Sequence, residues 1–393
     1  MKPFALKRYW PSFLLVAFAS IVITILYVTV SDKQVLDAKK LQFETVAGDN
    51  SLLKDLQLNV ESHEDTSNGT IAFNDGTLTF SENPISWQEK LDQQYDSHMQ
   101  SLQNRYRNFM RPFQYGGANA TPLETDDAVV IANITEGWFD EFDNSSAQID
   151  LALLQKETEA ETHFSVTVDL PGDTSLSYVQ NLEMVNNHLY AILDVYDHQT
   201  DMNSNVLLNI DMDKQVLTSS TTMLDDIAET QGTDSYISLH GLSPTPTPTA
   251  WFLIDQEETS RIAGYDATAN TSFFLEQEGE NGIIDRLLTF NDMLYAVSTE
   301  DQFQVDVYNI VNKTFHESIT TDITLSEAYN TDFLIKDGLM YVLNLDSYEN
   351  NTSNDVGDGH LYVIDVNTGA VRYHGKLSNV SLGLSITFGE DEL

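Results

Sequence analysis

The side chains best suited to chemistry are oxygen ligands in a loop near the C-terminus. Asn354, Asp355 and Asp358 occur in the segment NDVGDG at 354–359, and amide and carboxylate oxygens on a flexible turn are the ligands that Ca²⁺ prefers. The segment lacks the regular spacing of three carboxylates found in dedicated calcium loops, so an ordinary hairpin loop is the alternative. We therefore predict these three residues as candidate metal ligands, with calcium as the candidate cofactor.

No catalytic constellation stands out elsewhere in the sequence. The chain has no cysteine, which excludes thiolate catalysis and cysteine-ligated metal sites, and it has no G-x-S-x-G, H-E-x-x-H or phosphate-binding glycine motif. The histidines are scattered, and His240, His360 and His374 share no ligand spacing. Asp211 and Asp213 form a second, weaker calcium candidate. The sequence therefore predicts no catalytic residue.

The charge of the chain limits its partners. Sixty-one acidic residues against 19 basic ones give a formal net charge of −42. Such a surface repels nucleic acid and anionic lipid headgroups, and it attracts cations or a basic partner. Solubility in a salty or alkaline exterior is the simpler explanation for so many carboxylates. We predict no nucleic-acid partner.

Short repeated strands must position any site in this chain. A polar turn followed by an apolar strand recurs as VNNHLY at 185–190, FNDMLY at 290–295 and IKDGLMY at 335–341. Asn, Asp and Gly tolerate the positive φ angles that two-residue hairpin turns need. We therefore predict that the tyrosines that end these segments, Tyr190, Tyr295 and Tyr341, occupy equivalent positions in a repeated unit. One irregular β-sandwich is the alternative.

The segment LYVIDVNTGAV at 361–371 extends this pattern, because an apolar strand ends in Asp and an Asn-Thr-Gly turn follows. It resembles the repeats of quinoprotein-like and YVTN-type β-propellers, and the resemblance spans about 180–376 without pointing to a specific family. It implies an all-β fold, a β-propeller of six or seven blades. The sequence has neither the Trp-Asp dipeptide nor the kelch double glycine.

One helix is predicted as an insertion in this β-rich chain, over residues 86–111. Ser86 and Glu89 have the spacing of a capping box, and apolar residues such as Leu102 and Phe109 recur at helical spacing. Packing of this apolar stripe on the sheet domain is the favoured interpretation, and binding of a partner protein is the alternative.

The N-terminal region predicts a membrane anchor. Residues 1–9 form a basic leader and residues 10–30 carry no charge, which is about the length that a helix needs to cross a bilayer. A cleaved signal peptide is the alternative, although a clean small-residue cleavage site is missing. We predict an uncleaved signal-anchor and a single-pass cell-membrane protein, with a stalk at 31–66 and an extracytoplasmic domain at 67–393.

These observations favour a binding function. We predict a membrane-anchored extracytoplasmic binding or scaffolding module, accessory to a transporter or signalling complex. The alternative is a propeller hydrolase, lyase or lactonase whose metal ion is held in the central channel by Asp, Asn and His. The abundance of acidic residues alone does not favour that alternative, because fold resemblance does not fix function.

Overall fold

The structure, a computed structural model, divides into two compact units. The terminal unit combines Met1–Tyr95 with Leu325–Leu393, and the central unit is Asp96–Thr324. The structure describes residues 41–61, 68–74, 77–83, 99, 102–103, 105–113, 120–136, 146–170, 174–198, 202–226, 235–244, 247–256, 259–277, 282–299, 303–323, 325, 331–345, 357–380 and 383–388.

The first four strands that the structure describes belong to the terminal unit. They are β1 Gln42–Gly48, β2 Leu56–Glu61, β3 Asn68–Asn74 and β4 Thr77–Asn83. A 3-10 helix at Asn50–Leu53 separates β1 from β2, and the Asp49 carboxylate accepts a hydrogen bond from the Ser51 N–H at its start. We predicted a stalk at 31–66. Within this segment, β1 and β2 are each hydrogen-bonded to other strands in a sheet.

The central unit contains four sheets, named A to D, each an antiparallel meander of four consecutive strands. Sheet A is β5 Ala120–Glu124, β6 Ala128–Glu136, β7 Ser146–Gln155 and β8 Ala160–Asp169; sheet B is β9 Thr174–Val185, β10 His188–Asp197, β11 Met202–Asp211 and β12 Val216–Thr222. Sheet C is β13 Ser235–Ser243, β14 Thr249–Gln256, β15 Thr259–Asp266 and β16 Thr271–Phe274; sheet D is β17 Arg286–Phe290, β18 Met293–Ser298, β19 Gln304–Asn309 and β20 Thr314–Thr320.

Two further sheets, E and F, complete the terminal unit. The remaining strands are β21 Thr331–Lys336, β22 Leu339–Leu345, β23 Gly357–Asp365, β24 Val371–Val380 and β25 Gly383–Phe388. Sheet E has the order β1-β24-β23-β22-β21, and sheet F has the order β25-β2-β3-β4. The last described strand, β25, therefore pairs with β2. The described residues form six sheets.

The three repeated tyrosines occupy equivalent positions, as predicted. Tyr190, Tyr295 and Tyr341 are each the third residue of the second strand of a sheet and are buried. The turns before them have the predicted conformation, because Asn186 and Asn187 both have positive φ, as do Asp337 and Gly338. These residue types reach that region at little steric cost.

Consecutive central sheets pack on each other through strands that are apolar on both faces. In β10, Leu189, Ala191 and Leu193 belong to the core shared with sheet A, whereas Tyr190 and Ile192 belong to the core shared with sheet C. Side chains alternate between faces along a strand, so a continuous apolar run can serve two interfaces. Each fully buried Leu or Ile contributes about 1.5–3 kcal/mol.

The described end of the predicted helix lies against sheet A. Helix α1 is Arg107–Met110 and continues into a 3-10 helix at Arg111–Phe113, while most of 86–111 is outside the described residues. Leu102 and Phe109 are buried against Val129 and Ile131 of β6, the face of that strand that points away from sheet B.

The predicted membrane anchor is corrected. A helix must have about 20 apolar residues to cross a bilayer, and in the part of the chain that the structure describes no helix is long and apolar enough to do so. Residues 10–30 lie outside that part. Attachment through an N-terminal helix and the single-pass, extracytoplasmic location are therefore withdrawn.

Candidate functional site

The first strands of the central sheets lie side by side. Strands β5, β9, β13 and β17 contact one another in chain order, and hydrogen bonds cross between them. The Thr121 hydroxyl of β5 donates to the Val179 carbonyl of β9 at 2.5 Å, and the Leu287 N–H of β17 donates to His240 Nδ1 of β13 at 3.3 Å. Each first strand has a hydrogen-bonded neighbour in its own sheet on one side only, so its other edge can meet the next sheet.

A pocket of about 420 Å³ opens between sheets C and D. Tyr236, Ser238 and His240 alternate along β13, and a strand places alternate side chains on one face. The pocket is lined by Tyr236, Ser238, Leu239, His240, Leu253, Asp255, Ile284, Asp285 and Arg286. We call this the sheet C–D pocket.

His240 is held in one protonation state and one tautomer. Burial, reinforced by the positive charge of Arg286, lowers the pKa of His240 to about 4, so the ring is neutral at pH 7. Because Nδ1 accepts the Leu287 N–H, the ring proton is assigned to Nε2, which lies 3.0 Å from the Ser238 hydroxyl oxygen. His240 therefore donates to Ser238 and cannot accept a proton from it.

Two carboxylates form the acidic wall of the pocket. Asp255 Oδ1 accepts the Ser260 hydroxyl at 2.5 Å, and Asp285 Oδ2 accepts both the N–H and the hydroxyl of Thr299 at 2.7 Å. These bonds fix the orientation of each carboxylate. Among the described residues, the second oxygen of each carboxylate has no hydrogen bond, so it is available to a ligand.

Arg286 supplies the opposite charge. Its side chain is exposed and forms no ion pair with any residue that the structure describes, although acidic residues outnumber basic ones threefold in the chain. Tyr236, whose surface is 71% exposed, adds an aromatic face. An unpaired guanidinium is a strong donor for a carboxylate, so the pocket offers both charges to a ligand.

The sequence-predicted metal ligands are only partly described. Asn354 and Asp355 lie outside the described residues. Asp358 is on β23, where Lys376 Nζ lies 2.6 Å from its Oδ2, and this hydrogen-bonded ion pair lowers the pKa of Asp358. No group of three His, Asp or Glu side chains is placed to hold a metal ion within the described ranges. The calcium loop stays a prediction.

Asp211 and Asp213, the weaker calcium candidates, form hydrogen bonds at the turn after β11. Asp211 accepts hydrogen bonds from both the N–H and the Nζ of Lys214, at 2.9 and 2.6 Å, and the side-chain bond lowers the pKa of Asp211. Asp213 accepts the Asn187 amide at 2.5 Å. Asp365 has the same place at the end of β23 and accepts the Asn367 N–H at 3.1 Å. These carboxylates stabilise turns of the repeat.

The sequence did not indicate the sheet C–D pocket. Its residues come from β13, β14, the segment that leads into β17 and the first residue of β17, and only the contact between the two sheets brings them together. The one local signal is the alternation of Tyr236, Ser238 and His240 with Ile237 and Leu239, which predicts a strand with one polar face.

No protein-family model matches the chain, and no curated protein matches it. Similar solved structures include the β-propeller domain of the Trilobed protease from Pyrococcus furiosus, with 9% identity, coverage of 50% of this chain and 57% of that one, and a TM-score of 0.33. The Dos1 propeller has 14% identity, 61% and 56% coverage and a TM-score of 0.33.

TolB from Acinetobacter baumannii has 9% identity, 84% and 82% coverage and a TM-score of 0.28. The chain spans little more than half the length of the first two structures. Such identities concern the fold alone and say nothing about activity. The Trilobed protease domain and Dos1 are β-propellers and no family model matches, so the predicted resemblance to β-propellers without a specific family is confirmed.

Proposed function

We propose that the protein is a non-catalytic binding module and that the sheet C–D pocket takes a small zwitterionic ligand, such as a free amino acid. One observation carries this proposal: Arg286, without an ion pair among the described residues, shares a pocket with two carboxylates that each have an oxygen without a hydrogen bond. A ligand with a carboxylate and an ammonium group would satisfy both charges.

Each polar group of the pocket would bind a particular part of the ligand. Arg286 would bind the ligand carboxylate, and the free oxygens of Asp255 and Asp285 would accept the ammonium protons. Tyr236 and Leu253 would contact the side chain of the ligand. A pocket with a few fixed polar groups and apolar walls is typical of small-molecule sites.

The state of His240 favours binding over hydrolysis. A serine nucleophile needs a neighbouring base that accepts its proton. In this pocket His240 Nε2 carries a proton and faces Ser238, because Nδ1 is occupied by the Leu287 N–H. The pair can donate to a ligand but is not arranged to activate Ser238. The metal-dependent hydrolase has no comparable observation in its favour.

Calorimetric titration of the full chain with L-phenylalanine, L-leucine and L-glutamine tests the proposal. We expect at least one of them to bind, and we expect its N-acetyl and C-amide derivatives to bind at least tenfold more weakly, since each loses one charge. Arg286→Ala should weaken binding of the free amino acid at least tenfold, while Lys54→Ala removes an exposed charge elsewhere and should leave it unchanged.

Three results would contradict this function. Equal affinity for the free amino acid and its N-acetyl and C-amide derivatives would show that the pocket does not recognise the two charges of the ligand. Unchanged binding by the Arg286→Ala variant would place the ligand elsewhere. An absence of binding across all three amino acids would remove the proposed ligand class.

A further inference from the structure

Two histidines of the terminal unit lie side by side in sheet E. His360 is on β23 and His374 on β24, and the register places Lys376 opposite His360 and Tyr362 opposite His374. The two histidines are therefore diagonal neighbours on one face of an antiparallel pair, within reach of each other. His360 Nδ1 lies 3.0 Å from His374 Nε2.

This separation suits a shared metal ion. Imidazole nitrogens bind Zn²⁺ at about 2.0–2.1 Å, so two such bonds at angles between a right angle and the tetrahedral angle span about 2.8–3.4 Å between the nitrogens. Imidazole is also a good ligand for Cu²⁺ and Ni²⁺. Without a metal, one ring must donate its proton to the other, so the same contact is also a hydrogen bond.

Neighbouring groups hold the two rings in place. The Tyr362 ring stacks on His374, with centroids 4.6 Å apart, and on His360 at 5.9 Å, in both cases with an interplanar angle of 19°. Both histidines are half-buried, and the facing residue of β1 is the small Ala47. The ion pair of Asp358 with Lys376 lies next to His360 on the same strands. Packing that fixes the rings lowers the cost of ordering two ligands.

We propose that His360 and His374 form a two-histidine site for a divalent transition metal ion such as Zn²⁺ or Cu²⁺. The metal replaces the hydrogen-bonded proton between the facing nitrogens. In the ring that donated this hydrogen bond, the facing nitrogen releases its proton to solvent and the nitrogen that points away takes one up, so both rings stay neutral with one proton each. Water or a ligand completes the coordination. The site lies in the terminal unit and does not depend on the proposed function of the sheet C–D pocket.

Calorimetric titration of the full chain with zinc chloride tests the proposal. Millimolar Mg²⁺ should be present throughout, because it occupies carboxylates but has little affinity for imidazole. We expect one ion per chain, and at least tenfold weaker binding by the His360→Gln and His374→Gln variants. His316→Gln removes a histidine whose side chain is 55% exposed and should bind as the unmodified protein does. Circular dichroism checks that each variant folds.

Electron paramagnetic resonance with Cu²⁺ gives a second readout, because histidines with a purely structural role would not appear as copper ligands in the spectrum. The spectrum should show two coordinated imidazoles in the unmodified protein and one in each single variant. If the unmodified protein bound zinc no more tightly than a variant that carries both His360→Gln and His374→Gln, the proposal would be overturned. An equal loss in His316→Gln, or a copper spectrum without two imidazoles, would also overturn it.

Discussion

At the scale of single residues, His240 shows how burial and one backbone hydrogen bond set both the charge and the tautomer of a side chain. Its pKa falls to about 4, whereas an unfolded histidine titrates near 6.5. The unfolded chain therefore takes up a proton at a higher pH than the folded chain. His240 thus favours folding fully above pH 6.5, and this contribution is lost as the pH falls toward 4.

We expect the His240→Gln variant to be less sensitive to acid than the unmodified protein. Between pH 7 and pH 5, the free energy of unfolding of the unmodified protein should fall by about 2 kcal/mol more than that of the variant. Buried carboxylates with raised pKa, such as Glu183 and Asp194, act in the opposite direction, but they are common to both proteins and cancel. Urea unfolding at the two pH values measures the difference. An equal acid response would mean that His240 titrates normally.

Tyr341 tests the repeat at one position. Its hydroxyl donates to the Leu52 carbonyl at 3.0 Å, and its ring meets Phe388 edge-on at 5.0 Å. Tyr341→Phe should cost about 1 kcal/mol for the lost hydrogen bond, and Tyr341→Asp about 3–5 kcal/mol for a buried charge without a partner. Val46→Asp, at an exposed position of β1, should change the unfolding free energy by less than about 0.5 kcal/mol. Comparable losses at the two positions would contradict the assignment of Tyr341 to the core.

At the scale of elements, the same cross-strand contact recurs in two sheets, although no motif in the sequence predicts all of its residues. Asp150 on β7 accepts hydrogen bonds from Gln148 and from Ser165 on β8, at 3.1 and 2.5 Å. Sheet D has the same arrangement, in which Asp306 accepts from Gln304 and Ser318 at 2.8 and 2.5 Å. The Gln-x-Asp spacing is visible in the sequence, but the serine becomes part of the motif only through strand register.

Gly264 shows a second contact between strands. Phe273 lies directly opposite Gly264, and a Cβ at position 264 would overlap the phenylalanine ring. Movement of the ring would disturb its contacts with Trp251, which meets it edge-on at 5.7 Å, and with Lys313, whose Nζ lies 3.7 Å from its centroid. The glycine is therefore required by packing.

We expect Gly264→Ala to lower the free energy of unfolding by about 1–3 kcal/mol through overpacking. Gly282→Ala is the matched control, because no heavy atom lies within 4 Å of its added Cβ, and it should leave stability within about 0.5 kcal/mol. Guanidinium unfolding of the two variants measures the difference. A Gly264→Ala variant as stable as the control would show that Phe273 is free to rotate away.

At the scale of the whole chain, local patterns could predict the repeated strands and turns, but they could not predict which distant segments contact one another. Apolar runs and Asn-Asn or Asp-Gly turns identified the second strands, because those signals span only a few residues. The pairing of β25 with β2, the sheet C–D pocket and the contact of His360 with His374 depend on register between distant segments. No local spacing encodes them.

The net charge of −42 sets the response of the chain to ions. Carboxylates within a Debye length repel one another, so any salt should raise the melting temperature by screening. At constant ionic strength, millimolar calcium should add only a modest further rise if the loop at 354–359 binds one ion. Calorimetric melting in sodium and in calcium compares the two effects. A calcium-specific rise above about 10 °C, reversed by a chelator, would instead indicate a strong dedicated site.

We propose that the pocket binds a ligand and does not activate a nucleophile. The second part of this proposal depends on which ring nitrogen of His240 carries the proton. Nuclear magnetic resonance of the full chain with ¹⁵N-labelled histidine assigns that proton directly, with His240→Gln identifying the signal. At pH 7 we expect a neutral ring protonated at Nε2. We expect this tautomer to persist after addition of an amino acid that binds to the pocket. A ring protonated at Nδ1, which leaves Nε2 free to take the Ser238 proton, would contradict the account.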